Sequence, residues 1–237
     1  MLIPGAGGAG LVYWSRVAPL LAERGHEAVP VEIAGDDPAL GLPEYAAIVE
    51  QAMAGRDGIV LVAQSMGGFT APMVDPRRLS RIVLLNAMIP MPGETPGGWF
   101  ADVGVEAAQR EMRSAEGLPA ELTMEELFLH DIDDATLAAI ADGDREPAAT
   151  PFGQPCSFEQ WPDLPTHVLA GADDRLFPLA LQRRLAAERL GLDVAVVPGG
   201  HLAALSHPDE LARALLGLLG QPAADGEGST VPSQVRR

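Results

Sequence analysis

Between Gly58 and Phe69 the chain reads Gly58-Ile-Val-Leu-Val-Ala63-Gln64-Ser65-Met66-Gly67-Gly68-Phe69. The apolar run Ile59 to Ala63 predicts a buried strand, the residues from Met66 onward predict a helix, and Ser65 stands at the corner between them. A corner this tight needs small residues two places to either side, here Ala63 and Gly67, if the serine hydroxyl is to stand clear of the backbone. It also sets Ser65 beside a helix N-terminus, where unpaired N–H groups favour developing negative charge. A serine between small residues often does no more than cap a helix. The strand on one side and the helix on the other make Ser65 a candidate nucleophile.

Strands and helices alternate through most of the chain, the pattern of a mostly parallel sheet flanked by helices. Compact apolar runs bounded by Gly, Pro or Asp predict strands at Met1 to Ile3, Glu27 to Ile33, Gly58 to Ala63, Arg81 to Asn86, Thr166 to Ala170 and Asp193 to Val197. Helices are expected at Trp14 to Arg24, Pro43 to Ala54, Met66 to Val74, Leu179 to Leu190 and Pro208 to Leu219. The alternation lapses over residues 88–163, which read as a helical lid inserted after the fourth strand into a core made of residues 1–87 and 164–220. Within it, helices are expected at Val105 to Glu116, Thr123 to His130 and Asp134 to Ala141, with Thr123 and Asp134 as N-caps. Residues 221–237 have almost no bulky apolar side chain and read as a disordered tail.

Composition narrows the function. The 33 acidic residues face only 16 basic ones, every one an arginine, for a formal net charge of −17. Phosphate recognition needs clustered cations, so nucleic acid and anionic membrane are not expected partners. No apolar run is long enough to span a bilayer, and Met1 leads straight into Leu2-Ile3 and a glycine turn, so neither a membrane anchor nor a signal peptide is expected and a cytoplasmic location follows. The single cysteine, Cys156, cannot form an internal disulfide, and no metal site is expected. With 237 residues, 47% of them hydrophobic, one core with an insertion is the natural organisation, as a monomer or homodimer.

A serine hydroxyl is a weak nucleophile and needs an adjacent base. Of five histidines, His201 follows the last apolar strand in Val196-Val197-Pro198-Gly199-Gly200-His201-Leu202, a glycine loop able to bring an imidazole over the sheet edge. His26, His167 and His207 sit in a turn, a strand and a helix start and read as structural; His130, within the insertion, is the one rival. An acid to orient the base is expected after a late strand, where Gly171-Ala172-Asp173-Asp174-Arg175-Leu176-Phe177-Pro178 supplies two candidates.

The order Ser65, acid, His201 is that of the α/β-hydrolases. On Pro4 to Gly8, Ala63 to Gly68, Gly171 to Pro178 and Pro198 to Leu211 the chain resembles that superfamily, and within it the small single-lid esterases that include plant methylesterases and hydroxynitrile lyases. The resemblance implies the α/β-hydrolase fold and selects Asp174, four residues before Pro178, as the acid. It also implies an oxyanion hole made by the backbone N–H groups of Ala6 and Met66, with Pro4 standing where such enzymes usually place a histidine. The glycines of Gly5-Ala6-Gly7-Gly8 do not fit a dinucleotide-binding spacing.

The lyases of this group place a lysine in the active site, and this chain has none. The expected function is therefore a serine hydrolase that cleaves a small to medium, largely apolar carboxylic ester through an acyl-enzyme, with thioester or lactone as other acyl substrates and with no cofactor. The alternative is non-hydrolytic use of the same pocket, as a ligand-binding protein, lyase or cyclase. Tyr13, Trp14, Met88, Trp99, Phe128 and Phe152 are the expected pocket residues, because most of the chain's few aromatic side chains gather in the insertion. Arg110, Arg113 and Arg145 are expected in solvated ion pairs.

Overall fold

The computed structural model describes residues 1–143 and 145–219, and the expected tail at 221–237 lies outside them. Five parallel strands form one sheet in the order β1 (Leu2–Ile3), β2 (Ile59–Gln64), β3 (Leu79–Leu85), β4 (Thr166–Gly171) and β5 (Val194–Val197). Eleven α-helices accompany them among the described residues: α1 (Gly10–Tyr13), α2 (Val17–Ala22), α3 (Leu42–Met53), α4 (Gly67–Thr70), α5 (Pro96–Asp102), α6 (Val105–Glu116), α7 (Met124–Phe128), α8 (Asp134–Ile140), α9 (Leu179–Leu190), α10 (Ala203–Ser206) and α11 (Pro208–Leu219).

Alternation along each strand divides the core in two, as a period of two requires. Ile3, Leu61, Ala63, Ile82, Leu84 and Val168 face the side covered by α3 and α9. Leu2, Val62, Val83, Leu85 and Leu169 face the side covered by α2 and α11. Buried Arg81 on β3 donates to the Leu218 carbonyl in the last turn of α11, a cation placed where a helix C-terminus favours one.

Four departures from the expected elements have local causes. The segment Glu27 to Ile33 does not become a sheet strand: it pairs with β1 through one parallel bridge, Leu2 to Pro30, supported by bonds from Leu2 N to Val29 O and from Val31 N to Leu2 O. Pro30 has no N–H to extend the ladder, and Pro4 ends β1. The insertion therefore follows the third strand of the sheet, although it follows the fourth extended segment. The helix expected over Trp14 to Arg24 is broken, with Val17 starting α2 so that Pro19 falls in its first turn, where a missing N–H is tolerated. Pro72 likewise turns the end of the expected Met66 to Val74 helix into a 3₁₀ turn at Ala71–Met73. In the insertion Thr123 caps α7 as expected, in a reciprocal pair with Glu126, but the cap of α8 is Asp133, whose Oδ1 accepts from Thr136 N, and not Asp134.

The insertion carries α5 to α8 between β3 and β4. Helix α5 was not expected, because Gly97 and Gly98 weaken its helical pattern, yet its start was legible: Thr95 caps it and Pro96 takes its first position. No helix among the described residues is long and apolar enough to cross a membrane.

Candidate active site

The C-terminal ends of β2, β3, β4 and β5 converge on one place. At the end of β2, Ser65 turns the chain into α4 with φ of 51°, a left-handed conformation that non-glycine residues adopt at a cost of about 1–2 kcal/mol. Neighbouring backbone holds it there: Ser65 N donates to Leu85 O, and Ser65 O accepts from Met88 N and Gly68 N. The expected need for a small residue at Gly67 has a cause, since a Cβ there would lie 2.7 Å from the Pro4 carbonyl oxygen, and two further glycines are also constrained. A Cβ on Gly68 would overlap the Met88 carbonyl, and one on Gly5 would lie 2.7 Å from Gln64 Oε1 and 3.0 Å from the Ser65 Cβ. The loop Pro4 to Gly8 thus lies directly against Ser65, and among the described residues neither Ala6 N–H nor Met66 N–H donates to another protein group.

His201 and Asp174 reach the same place from the loops after β5 and β4. His201 Nε2 lies 2.9 Å from Ser65 Oγ and Nδ1 lies 3.0 Å from Asp174 Oδ2. Both residues are almost wholly enclosed, His201 at 1% and Asp174 at 2% exposure. The other partners of Asp174 are N–H donors: Leu176 N and Phe177 N to Oδ1, Gln182 Nε2 to Oδ2. The carboxylate is therefore the acceptor, Nδ1 carries the imidazole hydrogen, and the Nε2 lone pair faces the serine hydroxyl. Asp173 points into solvent, while its carbonyl oxygen lies 3.1 Å from the ring Nε2 of His130. His130, the rival base, is thus engaged with the acid loop and not with Ser65.

Two buried residues that were not among the expected site residues complete the site. Asn86, at the end of β3, has φ of 45° and no exposed surface. Its amide donates to the carbonyls of Gly200 and His201, while its Oδ1 accepts from Gly171 N at 2.7 Å, so it joins the ends of β3 and β4 to the histidine loop. Gln182 on α9 bonds Asp174, the Asn86 Oδ1 and the Phe177 carbonyl together. The one available signal was Asn86 itself, since asparagine just after a strand is the side chain best suited to a left-handed turn.

The expected pocket residues divide. Phe128, from the insertion, packs against the His201 ring in a T-shaped contact at 5.2 Å, and Phe177 does the same at 5.1 Å, so two aromatic rings restrain the imidazole. Trp99 is fully enclosed, its ring against Phe177 at 5.2 Å and its indole N–H on the Ile89 carbonyl. Met88 is buried beside the Ser65 turn, and half-buried Phe152 lays its backbone against Gly97 of α5. Tyr13 and Trp14 lie within the core. Both are buried with Val17 and Leu205 on the α2 and α11 side, where burial pushes the Tyr13 phenol upward in pKa. The bulky sequence around them faces that layer because the chain has already turned into α1 and the following bend. Arg145 makes an ion pair as expected, with Glu32 at 2.6 Å and both side chains about a third exposed, and it also donates to the Ile33 carbonyl, fastening the insertion to the core. Among the described residues no group of three or more His, Cys, Asp or Glu side chains could hold a metal ion.

Comparison with known proteins agrees with this architecture. The profile of the alpha/beta hydrolase family matches residues 1–214. No curated protein sequence matches the chain. Among solved structures, the chain is similar to a pyrethroid hydrolase from Sphingobium faniae JZ-2 at 22% identity and TM-score 0.69, covering 93% of this chain and 96% of that one. It is similar to an extracellular α/β-hydrolase from a Paenibacillus species at 21% identity and TM-score 0.71, covering 91% and 96%. Polyneuridine aldehyde esterase matches at 20% identity and TM-score 0.71, covering 92% and 98%. At these identities the likeness speaks to the fold, while the family profile spans most of the chain, and on that ground the chain belongs to the alpha/beta hydrolase family.

Proposed function

We propose that this chain is a serine hydrolase that cleaves a small to medium, largely apolar carboxylic ester through an acyl-enzyme, with Ser65 as nucleophile, His201 as base and Asp174 as its orienting acid. The observation that carries this reading is the hydrogen-bonded line Ser65 Oγ, His201 Nε2, His201 Nδ1, Asp174 Oδ2, at 2.9 and 3.0 Å, in an enclosed site. Similar folds belong to a pyrethroid hydrolase and an esterase, which supports the same reading.

In this mechanism Ser65 Oγ attacks the ester carbonyl as its proton passes to His201 Nε2, and Asp174 stabilises the resulting imidazolium through Nδ1. The carbonyl oxygen becomes an oxyanion held by the N–H groups of Ala6 and Met66, and loss of one such donor costs about 3 kcal/mol in the barrier. His201 then gives its proton to the leaving oxygen, and water repeats the sequence on the acyl-enzyme. A thioester or lactone would follow the same route. Phe128 supplies an apolar wall over His201, and the insertion acts as the lid of the pocket. A monomer or homodimer in a cytoplasmic setting belongs to the same proposal.

The test is reaction with an alkyl fluorophosphonate, location of the adduct by mass spectrometry, and assay against ester, thioester and lactone panels. The adduct is expected on Ser65, with Ser65→Ala lowering kcat by about 10⁴-fold or more. An adduct elsewhere, or full turnover by Ser65→Ala, refutes the reading. Asp174→Asn is expected to lower kcat by about 10³- to 10⁴-fold, and Asp173→Asn to leave it within about threefold.

A further inference from the structure

We infer that Asp131, in the insertion, is a positioning residue for His201: its carboxylate holds the backbone of the histidine loop, so the imidazole is aligned on Ser65 only while α7 and α8 are seated. The inference rests on the serine-hydrolase reading above.

The loop Gly199-Gly200-His201 is gripped from two sides. From the core, Asn86 Nδ2 donates to the carbonyls of Gly200 at 2.9 Å and His201 at 3.1 Å, and Gln64 Nε2 donates to the His201 carbonyl at 3.3 Å. From the insertion, Asp131 Oδ2 accepts the Gly200 N–H at 2.6 Å, a short charge-assisted bond. The peptide unit just before His201 is thus held by its carbonyl on the core side and by the preceding N–H on the insertion side. The approach is close: a Cβ on Gly200 would lie 2.8 Å from His130 Nε2 and 3.0 Å from Asp131 Oδ1, so one of these side chains would have to shift. His130 bonds the Asp173 carbonyl, so two adjacent insertion residues touch the loop carrying Asp174 and the loop carrying His201 at once.

As a stabilising contact Asp131 is poor. Its side chain is 13% exposed, its Oδ1 has no hydrogen-bond partner among the described residues, and the nearest basic group, His207 Nδ1, is 3.8 Å from Oδ2. One carboxylate oxygen is thus committed to the Gly200 N–H while the other meets no protein donor among the described residues. What it supplies is direction. Transfer of a proton between Ser65 and His201 requires their alignment, and a misplacement of about 1 Å can cost about 100-fold in rate.

The test compares Asp131→Ala, Asp131→Asn and Asp131→Glu with the intact protein, using p-nitrophenyl acetate turnover and the rate of Ser65 modification by an alkyl fluorophosphonate. Asp131→Ala is expected to lower kcat and the modification rate together by about 10- to 100-fold with KM within about twofold. Asp131→Asn keeps an acceptor oxygen at the same reach and is expected to recover activity to within about fivefold of the intact protein. Asp131→Glu keeps the charge but pushes Gly200 away, and is expected to fall at least about tenfold below Asp131→Asn. Undiminished kcat in Asp131→Ala, or a loss confined to KM, overturns the inference. Should Asp131→Ala fail to fold, equal activity in Asp131→Asn and Asp131→Glu overturns it. If the intact protein is not modified at Ser65, the serine-hydrolase reading fails; if it is, and Asp131→Ala reacts at the same rate, only the role of Asp131 fails.

Discussion

The two halves of the insertion are held in different ways. The half around α5 is part of the core: Trp99, Val103, Val105 and Cys156 are buried in the same cluster as the α3 and α9 side of the sheet. Arg189 and Arg184 of α9 reach into it, the first pairing with Glu94 and bonding the Ile89 carbonyl, the second bonding the Val103 carbonyl. The half formed by α7 and α8 has no buried residue within either helix; Leu127, Phe128, Leu137 and Ile140 are only half-buried. Its polar ties go to loops around the site and to the start of α2: Arg175 to the Glu126 carbonyl, Arg16 to Thr136, His130 to the Asp173 carbonyl and Asp131 to Gly200. Burial of apolar area is non-directional and hard to undo piecemeal, whereas a few polar bonds at the surface or partly buried are more easily released together. The first half is therefore built into the core, and the second is held more lightly, with Ile132 between its helices as its buried anchor.

Experiments that weaken one half at a time test this division. The largest effect is expected for Trp99→Ala, which removes a fully enclosed indole and should lower global stability by about 3–5 kcal/mol in urea denaturation. Loss restricted to the insertion, with the sheet unaffected, would contradict the division. Arg189→Met should come next. The Arg189–Glu94 pair is only 13% and 17% exposed, so leaving Glu94 without its partner should cost about 2–3 kcal/mol, again globally.

Asp133→Ala removes the cap of α8 and should destabilise that helix by about 1 kcal/mol while the melting temperature stays within about 2 °C. Hydrogen exchange should accelerate at residues 133–140 and not at 96–102. A matching rise in both stretches would show that the halves move as one.

Acid offers a reversible form of the same experiment. Hydrogen bonds from Thr123 hold the Glu126 carboxyl below its usual range, and those from Thr136 do the same for Asp133. A carboxyl whose folded pKa is depressed stabilises the fold above its unfolded pKa and loses that contribution as pH falls through the folded value. Exchange protection in α7 and α8 should therefore decline as pH drops below about 4, ahead of α5. The smallest effect is expected at Cys156. Burial pushes this thiol upward and it donates to the Met91 carbonyl, so it should react slowly with dithionitrobenzoate at pH 8 until the α5 half unfolds.

Much of the architecture is local and periodic, and so was legible in order. The run Ile59 to Ala63 and the small residues around Ser65 specify a strand, a corner and a helix within a dozen positions. Parallel strands deliver their C-terminal loops to one edge, so a nucleophile, an acid and a histidine that each follow a strand arrive at the same place even though Ser65 and His201 are 136 residues apart. Where local reading went astray, at Glu27 to Ile33 and at Trp14 to Arg24, single prolines overrode the apolar pattern by withholding a hydrogen.

Other residues owe their place to contacts no local pattern records. Asn86 bonds Gly171, 85 residues on, and His201, 115 residues on, while Asp131 reaches Gly200 across 69. Trp14 and Trp99 look alike as exposed-pocket candidates in the sequence, and only the packing of layers puts each inside. Hydrophobic spacing establishes most of the sheet and the Ser65 corner, because those follow from backbone sterics and hydrophobic period, while the choice of Asp174 over Asp173 rests on the family resemblance. Which aromatic rings meet the imidazole, and which amides and carboxylates hold its loop, depends on side chains converging from separate elements once the chain has closed on itself.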